Sequence, residues 1–288
     1  MEIVDNKAVL LRLRHPAKVT TVIPKSQELP DNQVIVKWGI DEAHVLKNLN
    51  IKVPSPIEGK YTWTGKHTPF DHQKTTASFL TMHKRAFCFN EQGTGKTASA
   101  IWASDYLLNA KVISRVLVIC PLSIMDSAWR NDLFTFAMHR KVGVAYGSKK
   151  KRTAVIESDA EYVVINYDGV NIVEEAIAKG GFDLIIVDEA THYKNAQTKR
   201  WKTLKRLMPS EPWLWMMTGT PAAQSPVDAF GLAKLVNPAA VPRFAGAFKD
   251  RVMTKVTNFR WVPKPDATET VYQVLQPAIR YTKEECLD

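Results

Sequence analysis

Residues 86–106 limit what this chain can fold into more than any other segment. Residues 86–89 are a short apolar run, residues 90–97 read Asn-Glu-Gln-Gly-Thr-Gly-Lys-Thr, and Ala98, Ile101, Trp102 and Tyr106 then recur at helical spacing. A strand, a glycine-bearing loop and a helix in that order make a phosphate cradle. Gly93 and Gly95 permit backbone conformations that side chains forbid, so successive N–H groups can curl around an anion in front of the positive end of the helix. In that setting Gln92, Gly93, Thr94, Gly95 and Ala98 surround the phosphates, Lys96 reaches the β- and γ-phosphates, and Thr97 is placed to ligate Mg²⁺. The strict pattern opens with glycine, whereas Asn90 stands there in this chain.

About ninety residues later, residues 184–189 read Leu-Ile-Ile-Val-Asp-Glu. Four apolar residues describe a buried parallel strand, and its C-terminal end, where open α/β sheets place ligands, delivers two carboxylates. Asp188 is expected to hold Mg²⁺ through its water shell, and Glu189 to orient and deprotonate an attacking water. Each motif alone has an ordinary explanation, a turn before a helix for the first and a helix cap for the second. Their co-occurrence favours binding and hydrolysis of a nucleoside triphosphate, with Lys96, Asp188 and Glu189 as the catalytic candidates.

Between about residues 68 and 238 helical patterns alternate with buried strands at 116–120, 162–165, 184–187 and 213–217. That alternation predicts an α/β fold built on a doubly wound, mainly parallel sheet. Residues 1–60 read as a small α/β appendage, with strands at 9–13, 19–23 and 34–38 and a helix over 41–49, before Pro54, Pro56 and Gly59 break the pattern. The expected division is 1–60, 61–274 and a short terminal segment, 275–288. A chain of 288 residues, 45% hydrophobic and 24% charged, has room for one full α/β domain and a small unit beside it. It lacks both a membrane-length apolar run and a secretory leader pattern, so the expectation is an intracellular chain, cytoplasmic if bacterial or viral, with no membrane partner. Cys88, Cys120 and Cys286 show no metal spacing, and the first two fall in apolar strands as buried thiols.

Thirty-nine Lys and Arg against 29 Asp and Glu leave a formal charge of +10, which suits a polyanionic partner. Lys149, Lys150, Lys151 and Arg152 form one basic run, a candidate for contact with a phosphate backbone. Lys199, Arg200, Lys202, Lys205 and Arg206 line a predicted helix whose apolar stripe is Trp201, Leu204 and Met208.

Taken in order, the motifs resemble the first RecA-like lobe of superfamily 2 helicase-like motors, in particular the Swi/Snf-like branch of DNA-dependent ATPases. Residues 70–73, Phe-Asp-His-Gln, are similar to the adenine-reading Q motif, which assigns Gln73 to the base edge. The 90–97 loop resembles the family's Asp-Glu-Met-Gly-Leu-Gly-Lys-Thr form, which accounts for the missing first glycine. Cys120-Pro121-Leu122-Ser123 followed by Trp129 is similar to motif Ia, and Ile165-Asn166-Tyr167 resembles the family's Thr-Thr-Tyr segment. Residues 188–195 resemble motif II, and Thr218-Gly219-Thr220-Pro221 resembles motif III, which in the family couples nucleotide state to DNA contact. Residues 275–285 resemble the segment joining the first lobe to the second.

The resemblance covers about residues 68–288 and implies an ATP- and Mg²⁺-dependent translocase on duplex DNA. Ser123 and Tyr167 become candidates for backbone contacts, and Thr218, Gly219 and Thr220 for coupling. It also implies a second RecA-like lobe, in cis or in trans, carrying arginines that stabilise the transferring phosphoryl group, without which this chain is expected to turn over slowly. Two departures stand out: Thr191 replaces the motif II histidine, leaving His192 next door as its substitute, and Ala222-Ala223-Gln224 replaces Ile-Gln-Asn. The alternatives are an RNA helicase lobe and a non-catalytic DNA- or partner-binding module with a degenerate ATP site.

Overall fold

A computed structural model describes residues 1–208, 212–221 and 224–286. The departure at Ala222 and Ala223 lies outside the described residues. At the N-terminus β1 (Glu2–Val4), β2 (Ala8–Arg12), α1 (Ala17–Thr20), β3 (Gln27–Leu29) and β4 (Gln33–Lys37) precede α2 (Ile40–Asn48). The strands form an antiparallel sheet of order β1-β2-β4-β3. Alternation along β2 and β4 buries Val9, Leu11, Val34 and Val36 on one face, where they meet Val19, Ile23 and Leu46. The strand expected over 19–23 is absent: this stretch is α1 and a turn. Val19 and Ile23 are buried while Val22 is 47% exposed, an i,i+4 pattern rather than alternation.

The second helix faces two ways, giving Leu46 to this small core and Ile40 to the larger one. It is followed by α3 (Ile57–Lys60) and α4 (Asp71–Thr81). His44 Nε2 lies 2.9 Å from Thr81 O, and Lys47 Nζ donates to Met82 O at 2.8 Å, fixing the end of α4 to the small unit.

The main body then runs β5 (Arg85–Cys88), α5 (Lys96–Asn109), β6 (Val116–Cys120), α6 (Asn131–Phe136), β7 (Val142–Ala145), α7 (Lys149–Ile156), β8 (Tyr162–Asn166), α8 (Tyr167–Ile172), α9 (Glu174–Lys179), β9 (Leu184–Asp188), α10 (Lys199–Leu207), β10 (Trp213–Met217), α11 (Ala229–Val236), α12 (Ala245–Val252), the hairpin β11 (Met253–Lys255) and β12 (Trp261–Pro263), α13 (Ala267–Val274) and β13 (Ala278–Ile279). Seven of these strands form one parallel sheet of order β13-β5-β10-β9-β6-β8-β7. β6, β8, β9 and β10 are buried along their whole length, because helices cover both faces. Alternate residues serve opposite cores: Val118, Val164, Ile186 and Trp215 pack with Leu80, Ile101 and Leu133. Ile119, Ile165, Val187 and Met216 pack with Val170, Leu204 and Leu232. The expected doubly wound parallel sheet is therefore present, with β7 and β13 added at its two edges.

Both predicted buried thiols, Cys88 and Cys120, are fully buried, and burial raises their pKa, Cys88 to about 12. No helix among the described residues is long and apolar enough to cross a membrane.

His83, in the turn between α4 and β5, carries a testable consequence. Burial lowers its pKa to about 4, although Nδ1 lies 2.7 Å from Phe79 O. The unfolded chain titrates near 6.5. Because the folded pKa is the lower one, protonation favours unfolding. The neutral ring's contribution is intact above about pH 6.5 and is lost as pH falls towards 4, on the order of 3 kcal/mol. Urea unfolding over that range is expected to show this slope, and His83→Gln to flatten it.

Candidate nucleotide site

Parallel pairing brings the C-terminal ends of the strands to one edge of the sheet. In register, Met217 of β10 stands beside Cys88 of β5 and Asp188 of β9. The loop after β5 turns with Gly93 at φ 90° and Gly95 at φ 79°, both left-handed, and Gly95 leads directly into α5. A Cβ on Gly95 would sit 2.1 Å from Gln73 Nε2, the movable end of that side chain, so it is the left-handed backbone that calls for glycine.

A cleft of about 530 Å³ opens over the loop, with Gln73, Gln92, Gly93, Gly95, Lys96, Thr97, Ala98, Asp188 and Glu189 among its walls. Thr94 is not a wall: its hydroxyl donates to Glu91 O at 2.8 Å, and its carbonyl accepts from Gln73 Nε2 at 3.3 Å. A larger cavity of about 750 Å³ lies among α7, α8, α9 and α10, but it contains neither the glycine loop nor the paired carboxylates. The glycine loop and the paired carboxylates thus share the smaller cleft.

Asn90, the departure from the glycine pattern, is completely buried. Its amide donates to Thr76 Oγ1 at 2.9 Å, and its carbonyl oxygen accepts from Tyr281 N at 3.1 Å. The side chain that glycine would lack thus ties the loop to α4 and to the C-terminal segment. That segment runs alongside: Phe87, Phe89 and Glu91 donate their N–H groups to the carbonyls of Pro277, Ile279 and Tyr281 at 3.0, 2.8 and 2.9 Å. Gln73 Oε1 accepts from Phe70 N at 3.0 Å, closing the start of α4. His72 Nε2 lies 2.9 Å from Thr94 O, while its ring stacks on the exposed Phe70.

Asp188 ends β9 as a buried carboxylate, with its pKa raised by desolvation. Trp129 Nε1 donates to its Oδ2 at 2.9 Å, and Glu189 N to its Oδ1 at 3.0 Å. Trp129 comes from a π-helical turn, Met125–Arg130, that follows β6. Glu189 is left-handed, at φ 51°, and its Oε2 accepts from Thr218 Oγ1 at 3.4 Å. Thr218 is buried, and Gly219 faces the backbone of Glu91 and Gln92 across a van der Waals gap. Thr220 N bonds Thr218 Oγ1 at 3.3 Å. The 218–220 loop therefore lies between Glu189 and the glycine loop.

The profile of the SNF2-related domain matches residues 72–286. The chain belongs to the SNF2-related family. Over 159 residues it is 28% identical to a Mycoplasma genitalium ATP-dependent helicase, covering 54% of this chain and 15% of that protein. Over 153 residues it is 24% identical to the Drosophila melanogaster SWI/SNF-related matrix-associated actin-dependent regulator of chromatin subfamily A-like protein 1, covering 53% of this chain and 20% of that one. The chain thus spans a fifth or less of these two relatives. Its fold is that of the Sulfolobus solfataricus SWI2/SNF2 ATPase core solved in complex with dsDNA, with TM-score 0.65 and 24% identity over 77% of this chain and 46% of that chain. The RecA-like lobe expected from the motifs is the observed fold.

Other expectations for an SNF2-related lobe need correction. Tyr167 is not available to a nucleic acid: it is 5% exposed, its hydroxyl donates to Asp188 O at 2.5 Å, and Arg200 covers its ring at 4.8 Å. Arg152 is 6% exposed and donates to Ala145 O, Gly147 O and Asn166 Oδ1, so it braces β7 against β8. Lys149, Lys150 and Lys151 remain exposed, as does Ser123 in the turn after β6. His192, the expected substitute for the motif II histidine, lines a small cavity with Thr220 and Pro221. Its ring packs on Tyr167 at 4.6 Å and its Nδ1 lies 3.3 Å from Arg200 Nη1. Gln224, one place late, accepts from Lys194 Nζ at 2.6 Å. Sequence reading gave no role to Asn90 or His72, and it noted Trp129 only as part of a motif.

Proposed function

We propose that this SNF2-related chain is the ATP-binding lobe of a motor that hydrolyses ATP while moving along or remodelling duplex DNA. The observation that carries this reading is the convergence, at one sheet edge, of the glycine loop, the Asp188–Glu189 pair and the 218–220 loop. Backbone N–H groups of the loop and Lys96 bind the phosphates, and Gln73 and Phe70 lie beside the base. Glu189, steadied by Thr218, accepts the proton of the attacking water.

Among the described residues no group of three or more His, Cys, Asp or Glu converges on a metal, so Mg²⁺ would be completed by phosphate oxygens and water. Thr97 and the buried Asp188 fit that role. When bound, the ion neutralises charge on the phosphoryl oxygens. Among the described residues lining the cleft there is no arginine. A second RecA-like lobe, in cis or in trans, would supply that charge, and this lobe alone would turn over slowly.

Ser123 and the exposed Lys149, Lys150 and Lys151 offer contacts to DNA phosphates, giving strong salt dependence and little sequence preference. The setting is intracellular and DNA-associated. In the full-length protein, Lys96→Ala is expected to abolish both DNA-stimulated ATPase and binding of an ATP analogue. Retained stimulated turnover in that variant would sink the assignment, and stimulation by RNA in preference to duplex DNA would replace the motor's track.

A further inference from the structure

The hairpin β11–β12 is unlike the rest of the surface. Phe259 at its tip is 98% exposed, the highest value among the exposed large hydrophobic residues. The tip is nonetheless ordered by hydrogen bonds: Thr257 Oγ1 accepts from Phe259 N at 3.3 Å and from Arg260 N at 3.1 Å, and Val256 N donates to Arg260 O at 2.9 Å.

Its base is anchored too. Lys249 Nζ sits 4.0 Å over the Trp261 ring, and Lys264 Nζ donates to Asp250 O at 2.7 Å. Phe248 and Val252 root α12 in the core, and α12 packs on the Pro226–Asp228 turn shortly after the 218–220 loop. The hairpin is thus held to the main body through α12.

Charge decides what such a tip meets. From residue 243 to 264 the chain has six basic residues and one acidic one, Asp250. Lys255 and Arg260 are exposed beside the tip, and Arg251 at the base of the hairpin. Phe259 and Val256, 55% exposed, standing among cations make a small core for a protein interface, which needs contiguous apolar area. The ring matches a polyanion with flat faces. A closed duplex offers such a face only at its end, whereas an unpaired base offers both faces.

We propose that this hairpin is a nucleic-acid contact in which Phe259 stacks on an unpaired base at a duplex end or fork, with Lys255 and Arg260 on the flanking phosphates. The proposal rests on the DNA-motor reading and extends it from phosphate contact to recognition of a junction.

The test is fluorescence anisotropy of the full chain on a blunt duplex and on the same duplex carrying a short fork, at fixed salt. A 2-aminopurine at the junction reports stacking. Wild type is expected to favour the fork roughly ten-fold, with its probe quenched. Phe259→Ala should lose both effects while keeping blunt-duplex affinity, and Phe259→Trp should restore them. Because Phe259 is exposed, the melting temperature of Phe259→Ala should match wild type. Equal fork binding by wild type and Phe259→Ala, including the case in which the tip docks a protein, overturns the hairpin contact alone. Failure of wild type to bind any DNA overturns the motor reading with it.

Discussion

Glu189→Gln is expected to lower DNA-stimulated ATP turnover by about 10²- to 10⁴-fold while leaving nucleotide affinity nearly unchanged. Glutamine keeps the size of the side chain and an oxygen for Thr218 Oγ1, 3.4 Å away in the wild type. What it loses is basicity at the one carboxylate whose backbone, at φ 51°, turns out of the strand into the cleft. The loss corresponds to about 3–5 kcal/mol of barrier. Steady-state turnover with both lobes present, combined with titration of a fluorescent ATP analogue, separates chemistry from binding. A variant with unchanged kcat would remove Glu189 from the role of base. One that failed to bind nucleotide would make it a structural residue.

A comparably large effect is expected far from the cleft. Asp105 of α5 is completely buried and accepts from Tyr61 OH at 2.6 Å, Arg140 Nε at 2.6 Å and His139 Nε2 at 2.9 Å. Arg140 continues to Glu161 at 2.7 Å, so one carboxylate joins the connector before α4, the middle of the lobe and the start of β8. Asp105→Ala leaves a half-buried guanidinium and a buried hydroxyl without their acceptor. Loss of one partner from such a network costs about 3–5 kcal/mol, more than most single surface contacts contribute. Urea unfolding followed by circular dichroism should show that drop, with Asp105→Asn intermediate because it keeps an acceptor but not the charge. A loss below about 1 kcal/mol would mean that water replaces the carboxylate.

How much could be read beforehand depended on how completely each element is buried. β6, β8, β9 and β10 are apolar on both faces and stood out as runs. β7 reads Val-Gly-Val-Ala, is only half-buried at the sheet edge, and carries no such signal. β13 is two residues long and is defined by its partner rather than by its own sequence. The glycine loop and Asp188–Glu189 were legible because their chemistry depends on local spacing.

The contacts that hold them were not. The bond from Trp129 to Asp188 spans 59 residues, and that from Tyr281 to Asn90 spans 191. A basic run likewise does not say which member turns inward. Arg152 does so because its guanidinium fork satisfies three acceptors around the end of β7, while the neighbouring lysines are exposed.

The pairing of residues 277–281 with β5 and the glycine loop has a mechanical side. Phe87, Phe89 and Glu91 each donate to that segment, and Lys283 N adds a bond to Glu91 Oε2 at 3.1 Å. A pull along the segment would load these bonds in shear, all at once, rather than peel them open singly. The backbone leading into the glycine loop and the backbone that such a pull would load are then neighbours in one ladder. By reciprocity, a nucleotide that stiffened this ladder on binding at the proposed site would also stiffen the chain against that pull.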